Sequence, residues 1–449
     1  MMHRLALLTA IGGALMVLVA AGLVVLTAPW LPFTHDTRVI VFMIGICVAG
    51  LLWLLAVALV RGAFLPPRTI WLVLGVAVAM RVMTLVAPSL LSTDVFRYVW
   101  DGRVQLAGIN PYRYVPEAPE VAFLRDDAVY PHINRGDYAQ TVYAPAAEMI
   151  FALAAAVAPG VLGMKLMMLA FDVLAIIALI PLLRIADRDP AELLIYAWLP
   201  LPVWEFAGNA HIDAVATGLL ALALLLAVRR RAVWTGIVLA AATLTKFLPA
   251  VVLPAFWRPT DWRLPLAFAA ALCALYLPYL SVGWHVFGFL GGYASEEGFA
   301  SGHGFFLLQL IDALVTLPDW VTRLYIALVL CVLGVMAARF AFGAPLPTKP
   351  GPRVRVQARQ AVILGAAVLV AVSPHYPWYF TWLAPLACLA PLPSVLWMLA
   401  AAPLLAHGAV EYLIVPGAVY GPAAILAAFD LYRSRSQSLA MPPPALRSA

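Results

Sequence analysis

The stretch Ser92-Thr93-Asp94-Val95-Phe96-Arg97-Tyr98-Val99-Trp100-Asp101-Gly102-Arg103 opens the longest polar interruption, residues 92–143, in an otherwise strongly apolar chain. This interruption gathers a large share of the charged side chains and directly follows an apolar segment that ends near Pro88. A polar segment of this length between apolar segments predicts a large water-facing loop of a membrane protein. We expect this loop to carry the functional site.

The composition is that of a polytopic membrane protein. Hydrophobic residues make up 64% of the 449 residues and charged residues 11%, whereas roughly 25% of the residues in a soluble domain are charged. At about 20 apolar residues per span, the length allows about 11–13 transmembrane helices. We therefore predict an all-α membrane helical bundle without a separate soluble domain.

The charge pattern bears on partners and cofactors. The net charge is +6, and the positive residues lie in short runs between apolar segments, as expected for cytoplasmic helix ends in a lipid bilayer and not for nucleic-acid binding. The four cysteines lie in apolar runs without metal-ligand spacing. No cofactor is expected; a divalent metal is compatible with the sequence but not indicated by it.

Positive charges also predict the orientation. Arg61 and Arg68 lie between the second and third predicted spans, and the excess of Arg and Lys in cytoplasmic loops places them inside. The third span then leads outward, which makes the polar loop 89–143 extracytoplasmic. We expect a multi-pass protein of the bacterial cytoplasmic (inner) membrane whose active site faces the periplasm or exterior.

This orientation divides the chain into three predicted parts. They are an N-terminal transmembrane hairpin (1–68), a transmembrane catalytic domain (69–432) that contains the loop 89–143, and a disordered cytoplasmic tail (433–449).

Two segments conflict with a simple count of spans. Residues 144–158 are apolar but short, and we interpret them as a re-entrant helix, because a full span would place the arginines 229–231 outside. Residues 233–256 would form one span, although arginines on both sides prefer the cytoplasm. A helix broken at Lys246-Phe247-Leu248-Pro249 would resolve this conflict, since proline removes a backbone donor. The sequence leaves that choice open.

Ionisable groups at membrane depth cost about 2.5–3.5 kcal/mol each, so each is a candidate functional group. Asp94 lies where the third span emerges, at the mouth of any cavity. Arg97, Tyr98 and Asp101 follow it at steps of three, four and seven, on one stripe of a helix. Together with Arg103, they suit either a substrate site or local ion pairs on a solvated helix.

Further candidates lie far apart along the chain. His211 and Asp213 follow a proline-broken helix and suit either a binding loop or a helix cap. Lys246 suits either a phosphate contact or a snorkelling side chain. His375, beside Tyr376 in a proline-flanked aromatic turn, goes beyond what an interfacial aromatic belt requires.

A carboxylate and several cations on one face of an apolar bundle indicate chemistry on a lipid-linked anionic substrate. Glycosyl transfer from a lipid phosphate needs one base to take the proton of the acceptor hydroxyl. The leaving phosphate is already a stable anion and needs cationic stabilisation. Glycosidases differ, because their poor leaving group needs a second carboxyl as general acid.

Six motifs carry a resemblance to a known family. They are residues 94–103, residues 107–112 (Ala-Gly-Ile-Asn-Pro-Tyr), Tyr143-Ala144-Pro145, residues 208–213 (Gly-Asn-Ala-His-Ile-Asp), residues 245–249 (Thr-Lys-Phe-Leu-Pro) and residues 375–379 (His-Tyr-Pro-Trp-Tyr). Together they resemble bacterial mannosyltransferases of the GT-C superfamily, in the branches that use polyprenol-phosphate mannose to make alpha-mannosides. The resemblance covers about residues 70–390 and leaves the N-terminal hairpin outside.

The resemblance implies a GT-C type helical fold, a lipid-phosphate donor and inversion at the anomeric carbon. It makes Asp94 the base, brings Lys246 and His375 to the phosphate, and matches Asp213 to a second acidic position. The chain departs from the family pattern where Tyr-Pro-Pro is usual, and it lacks an Asp-x-Asp pair, which puts metal dependence in doubt.

We therefore predict a membrane glycosyltransferase that moves a hexose, mannose by resemblance, from a polyprenyl-phosphate donor to a hydroxyl of a glycan or glycolipid. The residues expected to hold the phosphate are Arg97, Arg103, Lys246 and His375. Those expected to contact the substrates are Tyr98, Asp101, His211, Asp213 and Tyr376. The alternative is a multi-pass lipid or glycolipid transporter or flippase, in which charged groups line a pathway.

Overall fold

The computed structural model describes residues 2–63, 65–89, 91–318, 320–406 and 413–440, with side chains up to residue 430. In these ranges all regular structure is helical and there is no strand. The first half consists of α1 (Met2–Thr27), α2 (His35–Val60), α3 (Thr69–Leu85), α4 (Asp94–Leu106), 3-10 turns at Pro119–Leu124 and Tyr130–His132, α5 (Pro145–Val157), α6 (Val161–Ile185), a 3-10 turn at Pro190–Leu193, α7 (Leu194–Ala197), α8 (Pro200–Pro202) and a π-helix at Val203–Gly208.

The second half continues with helices of very different length. These are α9 (Asp213–Val228), α10 (Ala232–Thr243), a 3-10 turn at Leu248–Val252, α11 (Leu253–Phe256), α12 (Arg263–Tyr276) with its 3-10 continuation Leu277–Phe287, α13 (Leu290–Glu296), α14 (Phe306–Asp312), α15 (Trp320–Ala341), α16 (Pro350–Val372), a 3-10 turn at Pro377–Leu383, α17 (Ala384–Leu389), α18 (Pro393–Ala401), a 3-10 turn at Ala402–Ala406 and α19 (Ile414–Ala440).

The helices confirm the predicted all-α polytopic membrane bundle. Six helical segments of the described chain are long and apolar enough to cross a membrane, namely α1, α2, α6, α12 with its continuation, α15 and α16. Six shorter apolar segments of 10–17 residues pack among them.

The N-terminal hairpin shares its core with the rest of the bundle. Leu8 and Trp53 from the hairpin belong to the same buried cluster as Val73 and Trp198. The indole Nε1 of Trp198 donates to the carbonyl of Val73 at 2.9 Å. The predicted boundary at residue 68 therefore does not separate two cores.

A buried ion pair joins α3 to α6. Nε of Arg81 donates to Asp172 at 2.5 Å, and the hydroxyl of Tyr196 donates to the same carboxylate at 2.6 Å. Buried charges in an apolar bundle persist when they are paired and hydrogen-bonded in this way. The ion pair therefore connects α3, which leads into the polar loop, to the centre of the bundle.

Helix α5, which the sequence analysis interpreted as re-entrant, is too short to cross a bilayer. Its 13 residues span about 20 Å, less than the roughly 30 Å of a hydrocarbon core. Its first turn meets the end of α10, where the amide of Ala146 donates to Leu244 at 3.2 Å. The helix that follows begins beside the end of α3, where Lys165 donates to Ala87. Both ends of α5 thus lie on the same side of the bundle.

The chain also breaks between α10 and α11, the alternative that the sequence left open. Arg258, after the break, donates to Gln360 of α16 at 3.3 Å. Arg353, about two turns earlier on α16, donates to the carbonyl of Val228 at 3.2 Å. The arginines 229–231 and Arg258 therefore lie toward one end of the bundle, as positive charges on one membrane side require.

The last helix runs into the segment 433–449 that was predicted to be a disordered tail. Its backbone is helical through Ala440. The remainder, 441–449, lies outside the described residues.

Candidate functional site

A cavity of about 650 Å³ opens where α3 ends and the polar loop begins. Four parts of the chain line it: the loop 89–97 with 134–144, the break 245–248, the segment 289–299 and the turn 372–379. Side chains predicted from separate motifs, among them Asp94, Arg97, Lys246 and Tyr376, meet at this cavity.

Asp94 is the first residue of α4, where a carboxylate is favoured by the exposed backbone amides and the helix dipole. Its side chain is 22% exposed. The amide of Asn134 donates to Oδ1 at 2.8 Å, and Nε2 of His211 lies 3.9 Å from Oδ2. The carboxylate is thus partly fixed and still open to the cavity.

Lys246 sits at the break between α10 and α11. Its Nζ lies 3.4 Å from Oδ2 of Asp213 and 4.3 Å from the centre of the Tyr379 ring. Burial lowers the pKa of Lys246, but the electrostatic influence of Asp213, followed by that of Tyr379 and Asp94, raises it to about 12. The ammonium stays charged across the physiological range.

Arg97 is buried at the cavity wall with one nitrogen unused. Its Nε donates to both oxygens of Asp101, at 2.9 and 3.0 Å, and Nη1 donates to the carbonyl of Ala139 at 3.1 Å. Nη2 finds no hydrogen-bond partner among the described residues. A buried, unpartnered guanidinium nitrogen at a cavity wall suits an anionic ligand.

Asp101 and Glu148 form a buried carboxyl pair behind Arg97. Thr141 donates to Glu148 at 2.6 Å and Gln105 donates to it at 2.9 Å. Burial raises the pKa of Asp101 even though Arg97 lies beside it. Asp101 therefore supports Arg97 and does not reach the cavity, contrary to the predicted substrate contact.

The contact of α4 with α5 depends on Gly102. A Cβ atom there would lie 2.5 Å from the carbonyl oxygen of Phe151 and 2.9 Å from the Cβ of Ala155. This close approach brings Asp101 next to Glu148. The one sequence signal for Glu148 is a charge within a short apolar segment, because spacing along the chain does not predict which helices touch.

His211 is buried behind the cavity, not within it. Its ring stacks on Trp378 with 4.0 Å between centroids, and Trp378 lines the cavity. Nδ1 lies 2.7 Å from Oε2 of Glu205, an ion-pair distance whose angles are not those of a hydrogen bond. Burial lowers the pKa of His211, but Glu205, with Asp94 and Asp213, raises it above its ordinary value.

Two other predicted substrate contacts are also buried. Asp213 is 1% exposed and pairs with Lys246. Tyr98 is 1% exposed, and its ring stacks on Phe151 with 4.5 Å between centroids. Neither residue lines the cavity, whereas Tyr376 does.

Two predicted phosphate contacts, Arg103 and His375, are not among the residues that line the cavity, although Pro374 and Tyr376 on either side of His375 are. Arg103 pairs with Asp126 at 2.6 Å, because nine residues after Asp94 on a helix it lies about 180° round the axis. Nδ1 of His375 lies 3.6 Å from Oε2 of Glu297. Glu297 is a lining residue and His375 is not.

The outer wall of the cavity is α13. The hydroxyls of Tyr293 and Tyr379 are 2.8 Å apart. On the other side, Arg135 and Tyr138 from the polar loop donate to Glu296 at 2.7 and 2.9 Å. These contacts join the loop, α13 and the aromatic turn around one space.

The described part of the chain has no group of three or more His, Cys, Asp or Glu side chains that could hold a metal ion. The carboxylates near the cavity instead lie beside cationic or imidazole side chains or accept from neutral ones; the partners with a charge or an imidazole ring are Arg97, Arg135, His211, Lys246 and His375.

Comparison with known proteins gives one family. Residues 4–258 match the family model described as alpha-(1->6)-mannopyranosyltransferase, N-terminal domain. No curated protein and no solved structure matches the chain. The matched range starts within α1, so it includes the hairpin that the sequence resemblance left outside; it contains Asp94 and Lys246 and ends before His375.

Proposed function

The chain belongs to the alpha-(1->6)-mannopyranosyltransferase family, and from this premise we propose that it transfers mannose from a polyprenyl phosphate to a hydroxyl of a glycan or glycolipid. Mannosyl transfer by a membrane glycosyltransferase follows from the family and the apolar helices. The family also disfavours the transporter alternative. The donor, the base and the membrane side are the parts proposed here.

One observation carries the proposal: a carboxylate and two cationic side chains from distant parts of the chain line the same cavity. They are Asp94, Arg97 and Lys246. Asp94 takes the proton of the acceptor hydroxyl, and the hydroxyl oxygen attacks the anomeric carbon of the donor. The bond from that carbon to the phosphate oxygen breaks, and polyprenyl phosphate leaves with the electron pair. Attack opposite the leaving group inverts the anomeric centre.

The phosphate is assigned to Arg97 and Lys246. The unused Nη2 of Arg97 and the ammonium of Lys246 supply positive charge where negative charge develops on the leaving oxygen. His375 and Arg103 are not part of this assignment, because neither lines the cavity.

The remaining wall suits a lipid-linked sugar. Phe247, Leu248, Phe289 and Leu290 line the cavity with apolar surface, which can hold the isoprenoid carbons next to the phosphate. Tyr376 and Trp378 stack on each other with 4.6 Å between centroids and present aromatic surface to the same space.

The positive-inside rule supports an extracytoplasmic site. Helix α9 begins at Asp213, beside Lys246, and ends at Val228, which accepts from Arg353. The cavity therefore lies at the opposite end of α9 from the arginines 229–231 and Arg258. Since such arginines mark the cytoplasmic side, the cavity faces outward.

The test is transfer of radiolabelled mannose from a polyprenyl phosphate to a mannoside acceptor by the purified full chain. Asp94→Asn is expected to abolish product formation while donor binding persists. Asp126→Asn is the matched control, because Asp126 belongs to the same loop and pairs with Arg103 outside the cavity. Unchanged turnover by Asp94→Asn would end the base assignment, and failure of the wild type with this donor would end the donor assignment.

A further inference from the structure

A chain of buried groups lies directly behind the cavity carboxylate and is not used by the proposed reaction. Glu205 is 4% exposed and His211 is fully buried. Oε2 of Glu205 lies 2.7 Å from one ring nitrogen of His211, and Oδ2 of Asp94 lies 3.9 Å from the other. The imidazole thus stands between two carboxylates, and one of them reaches the cavity.

We propose that His211 and Glu205 are positioning residues for the base: Glu205 holds His211 as an imidazolium, and that cation keeps Asp94 ionised. This inference rests on the proposed function, since it assigns a partner to the base of that reaction. His211 does not touch the substrates, because Trp378 covers its ring and forms the cavity wall.

The backbone of the segment 203–211, which connects α8 to α9, has two uncommon conformations. Glu205 lies in the π-helix Val203–Gly208, and π-helical turns occur frequently at functional sites. Ala210 follows with φ of +59°, a left-handed conformation that residues with a Cβ atom seldom adopt. The amide of His211 donates back to the carbonyl of Glu205 at 2.8 Å. This turn folds His211 back onto Glu205.

The same turn also holds the start of the polar loop. Oδ1 of Asn209 accepts from the amide of Leu91 at 3.2 Å, three residues before Asp94. The turn therefore meets this segment at two places, where His211 lies beside Asp94 and where Asn209 accepts from Leu91. A connection that served the core alone would have no need of either contact.

The charges that face His211 explain why a cation is needed there. Asp94, Glu205 and Asp213 are three acidic groups around it, and Lys246 pairs with Asp213. Neighbouring carboxylates favour the protonated form of one another, whereas a cation between them favours the ionised form. Replacing the imidazolium with a neutral side chain would leave these carboxylates with one cation fewer beside them.

The inference is tested by the pH dependence of turnover in His211→Gln and Glu205→Gln, measured with the full chain in detergent or nanodiscs. Both variants are expected to lose turnover at neutral pH while the donor KM stays close to the wild-type value. The acidic side of their pH–rate profiles should move to higher pH. Each unit of that shift should lower turnover at a given acidic pH by about tenfold, and turnover should recover as the pH is raised. Asp94→Asn, measured in parallel, should stay inactive at every pH.

The matched control is Glu192→Gln. Glu192 is 6% exposed, pairs with Arg188 and lies away from the cavity, so its variant should keep the wild-type pH profile. Two results would overturn the inference: variant profiles that overlay the wild type, or an equal loss at all pH values that rising pH does not restore. If Asp94→Asn is itself active, the proposed function fails, and that outcome is distinct from both.

Discussion

Nζ of Lys246 lies 3.4 Å from Oδ2 of Asp213, at the break between α10 and α11. Asp213 is 1% exposed, so the ammonium neutralises a carboxylate that water cannot reach. The same ammonium lines the cavity. Lys246 therefore has a structural role and a proposed role in binding phosphate, and the two can be separated by mutation.

Lys246→Met is expected to lower both stability and transfer, because it leaves a buried carboxylate unpaired. Loss of one partner of a buried pair costs about 3–5 kcal/mol. The double variant Lys246→Met with Asp213→Asn should regain most of the stability and remain impaired in transfer. Thermal unfolding and the donor KM of the three proteins check this. Full transfer by the double variant would show that Lys246 does not serve the phosphate.

Asp94→Asn is expected to abolish measurable transfer, because loss of a general base typically removes a factor of about 10²–10⁴ in rate. The amide keeps the size of the side chain and its place at the start of α4, so the melting temperature should change little. Binding of a labelled donor should persist. Asp126→Asn is the control, with wild-type kcat.

Arg97→Lys tests the unused guanidinium nitrogen. A lysine preserves the charge beside Asp101 but lacks the planar guanidinium that donates to Asp101 and Ala139 at once and keeps Nη2 unused. The donor KM should rise, and Arg97→Gln should raise it further and destabilise the fold. Arg103→Lys is the control in the same helix, since Arg103 faces Asp126. An equal effect of the two lysine variants on KM would contradict the assignment.

The pH dependence of stability should depend on Glu205. The pKa of His211 is raised above its ordinary value of 6.5, so this group contributes stability that is fully present below that pH. The contribution is lost as pH rises through the raised folded-state pKa. Glu205→Gln removes the contact that raises the pKa, and the melting temperature of this variant should vary less across that window. Parallel curves for the wild type and the variant would argue against a charged His211.

The sequence predicted the class of fold because long apolar segments are typical of transmembrane helices and short arginine runs are typical of their cytoplasmic ends. It left the break after Lys246 open, as one way to resolve the conflict between a single span and the arginines on both sides of it. Asp94 and Lys246 were identified because charges at membrane depth are costly and therefore stand out from their surroundings.

The contacts behind the cavity could not be predicted in the same way. Glu205 and His211 are six residues apart, a spacing that matches no face of a regular helix, and they meet through a π-helix and the left-handed Ala210. Asp101 meets Glu148 because α4 packs on α5. The spacing of residues within either helix does not predict that these two helices pack together. Such tertiary contacts also decide that Asp101, His211 and Asp213 lie behind the cavity wall.

Gly102→Ala is expected to damage both the fold and the reaction. The new Cβ would lie 2.5 Å from the carbonyl oxygen of Phe151, and a backbone atom cannot move aside as a side-chain end can. Overpacking of this kind costs about 1–3 kcal/mol or more. The helix that must shift carries Asp94 and Arg97, so transfer should fall along with the melting temperature.

Gly13→Ala is the matched control, because no atom lies within 4 Å of a Cβ at that helical glycine. Alanine there should be neutral or stabilise by up to about 1 kcal/mol, with unchanged transfer. If Gly102→Ala behaves like Gly13→Ala, then α4 does not depend on its close contact with α5 to hold the base in place.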